Sequence, residues 1–417
     1  MIHLILGMKT SKRQKKVIFW CILLFLAALP IVLCELYFYN KFQHEFGKLG
    51  YTKEQLSRGR VQDSPYSVYE PIPNTVNLKS KFRQNNYGFR DEEDTQPKKP
   101  GEFRIFILGG SGALGQGAMQ QFVQISGQQE YQSKYTISAR LEEKLKAEFP
   151  QTPVEVINAA VSGYKVNHEY GFYMSTVRKL DPDLVILLDG YNDMFFPLDE
   201  KFYVNDVDRE TWKDNTYRTN LIYKIGMFLM SKSYTFFYFG KKLFTEKYHY
   251  DKKIFKKWLN EPINLDTSAL SMRFNQNFSA VKYGLDDVFK RYEIFKQTCR
   301  IDSVEVLFCP QPLLALKPNK TEVEKALNNY NWRESSTNAK MMERNGYRYY
   351  LNRFDQFAVE NNLNYLNLQT EINKTDEEVF VDYCHLSFLG NDMIAELIKD
   401  KLVKMNIISE SQKTAHK

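Results

Sequence analysis

The chain predicts a layered α/β/α fold on a parallel sheet, with a membrane-spanning helix ahead of it and a helical insertion within it. Three observations carry this expectation. Short apolar runs of strand character alternate with helix-patterned stretches from Phe103 to Met405. Such alternation gives parallel strands joined by crossover helices, with helices on both faces of the sheet. An uncharged apolar run from Val17 to Cys34 follows a basic cluster and is long enough to cross a bilayer.

Taken in order, the N-terminus comes first. Lys9, Lys12, Arg13, Lys15 and Lys16 form a basic tail, residues 1–16. The apolar run continues past Glu35 into Leu36-Tyr37-Phe38-Tyr39, so the span is set at 17–39, with aromatic residues at its far interface. The positive flank predicts a cytoplasmic N-terminus, and everything after Tyr39 falls on the outer side. No small-x-small cleavage site follows the run, and Leu33 before Cys34 does not suit lipoprotein processing. The expectation is therefore a signal anchor.

Residues 40–100 read as a connector. They hold Pro65, Pro71, Pro73, Pro97 and Pro100, mixed charge and little periodicity. Asn86 to Asp91 reads as a turn packing on the domain edge. The main domain is set at 101–408, followed by a tail, 409–417.

The first strand, Phe103 to Leu108, runs into Gly109-Gly110-Ser111-Gly112. Helix patterning follows at Ile137 to Phe149, then a second strand at Val154 to Asn158 and a loop, Ala159 to Tyr164, containing Gly163. A helix from about Asn167 to Leu180 leads to a third strand, Asp183 to Leu188. That strand is apolar throughout, as expected of one covered on both faces. It ends in Asp189-Gly190-Tyr191-Asn192-Asp193. Residues 195–266 break the rhythm as a helical, aromatic-rich insertion. This could form a lid or lie near the bilayer, with plain packing onto the main domain the simpler expectation. A helix at Asn277 to Arg300, a strand at Val304 to Cys309, a helix at Asn338 to Asn361, a strand at Leu363 to Leu368 and a helix from Ser387 to Met405 complete the pattern.

Bulk properties exclude several classes. A net charge of +7 over 417 residues is spread out, with no arginine-rich arm, zinc spacing or RNA-binding signature, so nucleic acid is not an expected partner. Of five cysteines, Cys21 and Cys34 lie in the apolar run. Cys299, Cys309 and Cys384 remain, and are expected as buried free thiols.

The glycine-rich turn has two chemical readings and one plain one. Gly110-x-Gly112-x-x-Gly115 matches a dinucleotide fingerprint, but the second strand ends at Asn158-Ala159-Ala160 without the acidic residue that a ribose needs. A turn with no chemistry is the plain reading. The third reading is a nucleophile turn, with Ser111 exposed above the sheet edge. A serine needs a base, and the base needs an orienting group. Among six histidines, His3 and His416 lie near the ends, His44 in the connector and His249 in the insertion, while His168 suits a surface or capping role. His385 stands immediately before the last helix, with Asp382 three residues upstream. Donors for a developing oxyanion are the Ser111 amide, the Gly163 amide and the Asn192 side chain.

These four blocks are Ser111 in Gly-Gly-Ser, Gly163 in Asn-Ala-Ala-Val-Ser-Gly-Tyr, Asn192 in Gly-Tyr-Asn-Asp, and the Asp382/His385 pair. Together they resemble the SGNH, or GDSL-like, hydrolases from Phe103 to Met405, outside the insertion. The resemblance implies a flavodoxin-like fold and metal-free, cofactor-free hydrolysis of acyl esters. It makes Ser111 nucleophile, His385 base and Asp382 its orienter, with Ser111, Gly163 and Asn192 as oxyanion hole. One departure stands out: Gly110 occupies the position before the serine, where the family usually has Asp. The expected function is an anchored serine esterase removing short acyl groups, such as acetyl, from an envelope or extracellular substrate, with carbohydrate a candidate. An O-acyltransferase acting on polysaccharide and a catalytically silent envelope scaffold are the alternatives.

Overall fold

The computed structural model describes residues 11–57, 61–76, 82–118, 133–194, 221–244 and 263–408. The basic tail before Ser11, the tail 409–417, and 195–220 and 245–262 of the insertion lie outside the described residues, as do His3, His249 and His416. The chain forms two compact units. The smaller combines residues 1–58 with 216–246, and the larger combines 59–215 with 247–417.

In the larger unit five strands form one parallel sheet: β1 (Phe103–Gly109), β2 (Val154–Asn158), β3 (Leu184–Asp189), β4 (Glu305–Pro310) and β5 (Asn364–Tyr365). Their spatial order is β2-β1-β3-β4-β5. This is the flavodoxin-like order, and its direction reverses between β1 and β3. A crevice opens at such a switch point, outside the carboxyl ends of the strands. Ser111 follows β1 and Asn192 follows β3, so both stand at that edge.

The central strands β1 and β3 are buried at every residue. Alternate side chains feed two cores. Phe106, Leu108, Val185, Leu187 and Phe308 face one, with Phe172, Phe289, Tyr292 and Phe354 from its helices. Ile105, Ile107, Ile186 and Leu188 face the other, with Leu141, Leu145, Ile394 and Ile398. Period-2 alternation within a wholly apolar strand thus supplies both helix layers.

Several expectations change at element ends. The fifth strand shrinks to two residues because Asn367 accepts from Thr370 N and starts a short helix. The helix expected at 338–361 divides into Thr337–Met341 and Tyr347–Glu360 around a π turn, Met342–Gly346. Residues 61–95 do more than connect. Val61–Ser64 pairs with Val68–Pro71 and Thr75–Val76 with Arg83–Gln84. Phe89 enters the core, and Arg90 donates to Leu114 O at 2.7 Å and Gly115 O at 2.9 Å, holding the turn after Ser111 from below.

The smaller unit is helical. The N-terminal helix runs Lys12–Glu45, well past Tyr39, because Phe42 and Phe46 find partners there. Those partners belong to the insertion, whose described part is a hairpin of two helices, Leu221–Lys232 and Tyr234–Phe244. The described hairpin thus groups with the N-terminal helix in the smaller unit, while the described end of the insertion, residues 263–266, belongs to the larger unit, where Ile263 and Leu265 pack against its core.

Candidate active site

Ser111 opens a short helix, Ser111–Leu114, directly after β1. A Cβ at position 110 would lie 2.5 Å from Asn192 Nδ2, too close for any such contact. Glycine at this position is thus what lets the Asn192 amide lie against the turn. Asn192 Nδ2 donates to Tyr164 O at 2.8 Å, which fixes the amide and leaves its second N–H available. Gly163 is exposed with φ +83°, a conformation that favours glycine. Tyr69 steadies this loop by donating to Ser162 O at 3.0 Å. Among the described residues the backbone N–H groups of Ser111 and Gly163 donate no hydrogen bond.

The second rim is the loop before the last helix. Val381 N donates to His385 O at 2.9 Å and Ser387 N to Val379 O at 2.8 Å, closing a tight turn with Asp382 at its tip. Asp382 Oδ1 accepts from Cys384 N at 2.9 Å and His385 N at 2.8 Å. Its Oδ2 lies 2.7 Å from His385 Nδ1, and His385 Nε2 lies 2.8 Å from Ser111 Oγ. An ionised carboxylate only accepts, so the ring carries its proton on Nδ1 and turns an acceptor nitrogen to the serine. The structure brings together Ser111, Asp382 and His385, although 274 positions separate Ser111 from His385.

Buried polar groups hold this loop from beneath. Glu324 Oε1 accepts from Val379 N at 3.0 Å and Phe380 N at 3.3 Å. Its Oε2 meets Lys317 Nζ at 2.6 Å, with both side chains fully buried. Gln311 Nε2 donates to Cys384 O at 2.6 Å. Lys317 and Glu324 fall between the strand ending at Cys309 and the helix starting at Asn338, where the sequence pattern predicts no element. The available signal was Thr321-x-x-Glu324, a helix-start capping box, which the structure contains.

Burial works against the Asp382 carboxylate, but the His385 ring and the two backbone N–H groups outweigh it and hold the carboxyl below the usual Asp range. Burial, then Asp382 and Glu343, push the Cys384 thiol well up. Its sulfur lies 3.7 and 3.9 Å from the two ring nitrogens of His385, so it packs the ring and stays protonated. Among the described residues, metal-type donor atoms gather within 4.8 Å of one another at Asp382, Cys384 and His385. There the carboxylate bonds the imidazole, and the imidazole bonds the serine. Cys299, Cys309 and Cys384 are all buried free thiols.

Beside His385 stands a polar-backed aromatic wall. Tyr383 packs 6.2 Å from the His385 ring and 5.4 Å from Tyr191. Tyr191 donates to Glu343 Oε1 at 3.1 Å, and Asn331 Nδ2 donates to Oε2 at 2.7 Å. Glu343 sits on the π turn, a kind of irregularity that recurs at functional sites. Burial pushes its carboxyl up to about 7. Glu169, Asp189 and Asp193 are buried below the Asn192 turn. Burial first, then repulsion from Asp193, raises the carboxyls of Glu169 and Asp189 well above their ordinary values. His168, expected in a surface or capping role, is buried and stacks on Tyr164 at 5.3 Å.

No family model matches the chain, and no curated protein matches it in sequence. Solved structures do. The acetyl xylan esterase AlAXEase is 13% identical with a TM-score of 0.38, covering 72% of this chain and 98% of its own. Axe2, an acetylxylan esterase from Geobacillus stearothermophilus, is 13% identical with a TM-score of 0.36, covering 73% and 96%. A GDSL-like lipase from Bacteroides thetaiotaomicron is 12% identical with a TM-score of 0.32, covering 72% and 88%.

Proposed function

We propose that this protein is an anchored serine esterase of the SGNH type, facing outward and releasing short acyl groups, acetyl foremost, from an envelope or extracellular carbohydrate. The observation that carries the chemistry is the unbroken relay from Asp382 Oδ2 through the His385 ring to Ser111 Oγ, with links of 2.7 and 2.8 Å.

His385 Nε2 takes the Ser111 proton as Oγ bonds the acyl carbon, and the carbonyl π pair moves onto oxygen. The Ser111 and Gly163 N–H groups and the Asn192 amide supply the donors for that oxyanion. Collapse expels the alcohol, which takes the proton from His385. Water then repeats the sequence on the acyl-enzyme and frees the carboxylic acid. Asp382 keeps its charge throughout and stabilises the imidazolium. The half-buried rings of Tyr191 and Tyr383 beside His385 support a carbohydrate substrate, since an aromatic face suits the C–H face of a sugar ring. The run Val17–Tyr39, apolar and wholly unburied over its most hydropathic window, supports the anchor.

The test is labelling of the full chain in detergent by a fluorophosphonate, with turnover of an aryl acetate measured in parallel. The expected result is an adduct on Ser111, and loss of both label and turnover in Ser111→Ala and His385→Ala. Absence of label on the wild type, or turnover surviving in Ser111→Ala, overturns the proposal. Product analysis with a sugar acceptor present reads hydrolysis against acyl transfer.

A further inference from the structure

Within the smaller unit, Glu35 interrupts the apolar run, about 6 Å along the helix axis before Tyr39. A carboxylate at that depth is unfavourable unless fully bonded. Glu35 is bonded to the start of the hairpin's second helix. Its Oε1 accepts from Tyr234 N at 2.6 Å, and its Oε2 from Thr235 N at 3.0 Å and Ser233 Oγ at 2.8 Å. The exchange is mutual, because a helix start in a water-poor layer needs acceptors for its free N–H groups. The turn of the hairpin therefore sits level with the outer end of the span.

From there the hairpin's second helix runs alongside the N-terminal helix. Tyr234 packs on Tyr39 and Phe42, Tyr238 stacks on Phe38 at 5.2 Å, and Phe237 is fully buried against Phe42 and Phe46. A Cβ on Gly240 would lie 2.2 Å from Met230 Sδ, so glycine permits the close crossing of the two hairpin helices. The remaining surface is apolar. Leu221, Ile222, Ile225, Phe228, Phe236 and Phe239 stand 50–77% exposed. Lys53, Lys232 and Lys241 rim it, each with its ammonium over an aromatic ring. Exposed aromatic and aliphatic side chains with lysines beside them match the acyl–headgroup boundary of a bilayer with anionic lipid. This surface is continuous with the exposed apolar side of the span, where Leu33, Leu36 and Tyr37 stand open.

We infer that the hairpin Leu221–Phe244 is a second membrane element, seated in the interfacial layer beside the anchor helix, with the outer leaflet as the occupant of its exposed apolar face. The inference rests on the anchor reading above.

The test uses the full chain with Cys21→Ser and Cys34→Ser. Cys299, Cys309 and Cys384 are buried and stay unlabelled. Single Phe228→Cys and Phe239→Cys variants carry a polarity-sensitive fluorophore, and the protein is reconstituted in phosphatidylethanolamine–phosphatidylglycerol vesicles bearing nitroxide lipids. Both labels should emit as in an apolar medium. Headgroup and upper-chain nitroxides should quench them; nitroxides near the chain ends should not. A label at Ile301→Cys, on the larger unit, should report water. Glu35→Ala should lower the quenching at Phe239→Cys, and Glu35→Gln should restore part of it. Labels that report water while the protein resists alkaline extraction overturn the inference and leave the anchor standing. Release of the protein by alkaline extraction overturns the anchor reading and this inference with it. Apolar emission that no lipid nitroxide quenches means a protein surface covers the face, a second copy or the larger unit, and also overturns it.

Discussion

The two units follow opposite rules for where oil and charge belong. The larger buries Phe106, Ile107, Val185 and Ile186 completely, and its exposed apolar side chains, such as Ile301 and Val359, stand far apart in sequence. Several of its buried charges are paired, as Lys317 is with Glu324 and Arg104 with Glu102 and Glu155. The smaller buries Phe42, Phe46 and Phe237 between its helices but leaves Trp20, Phe25, Phe228 and Phe239 half or more exposed, and it places hydrogen-bonding groups between helices, as Glu35 does with Tyr234 and Thr235. The contrast teaches that a residue's exposure has meaning only against its surrounding solvent. An open Phe239 is a fault in water and a fit in lipid.

The sharpest way to break the contrast is to strand a charge in the larger unit. Glu324→Ala leaves the Lys317 ammonium buried beneath the Asp382–His385 loop and should cost about 3–5 kcal/mol. The measurement is a urea midpoint followed through Trp332 fluorescence. A loss under about 1 kcal/mol would mean that water reaches this pair and that the larger unit is less dry than its packing.

Asn192→Ala tests the rim built over that core. It should lower kcat for an aryl acetate by roughly 100–1,000-fold, about 3–4 kcal/mol of barrier, with the urea midpoint nearly unchanged. An equal fall in stability would make Asn192 a scaffold residue rather than a donor.

The larger unit should also respond to pH through its buried acids. Glu343 is raised from 4.5 to about 7 by burial. Between those values the folded chain keeps a proton that the unfolded chain has lost. Stability therefore falls as pH rises through that window, by on the order of 3 kcal/mol at most. Glu343→Gln should flatten that slope in denaturant midpoints taken from pH 5 to 8, and an unchanged slope would shift the effect to Glu169 and Asp189.

The smallest effect belongs to the smaller unit. Phe239→Gln should change thermal stability in detergent by no more than about 0.5 kcal/mol, because the ring is open. A loss the size of a core substitution would show that protein covers that face, and the contrast between the units would fail.

Much of the larger unit was legible before any coordinates. Apolar strands such as Leu184 to Leu188 declare themselves by composition, and Ser111, Gly163, Asn192 and His385 each follow a strand or precede a helix, where a doubly wound sheet gathers its loops. What escaped was pairing across long separations. Periodicity says which face of a helix is apolar but not what covers it, so the hairpin's union with Phe38, Phe42 and Phe46 was invisible, as was the burial of His168 under Tyr164. Arg104 lies within a strand read as apolar, and nothing local announces that Glu102, Leu180 O and Gln96 O await its guanidinium.

Gly110 bears on engineering. Any side chain placed there brings a carbon 2.5 Å from the Asn192 amide nitrogen, so that amide must shift to admit it. A library that varies the nucleophile turn therefore has to hold position 110 at glycine or vary position 192 with it.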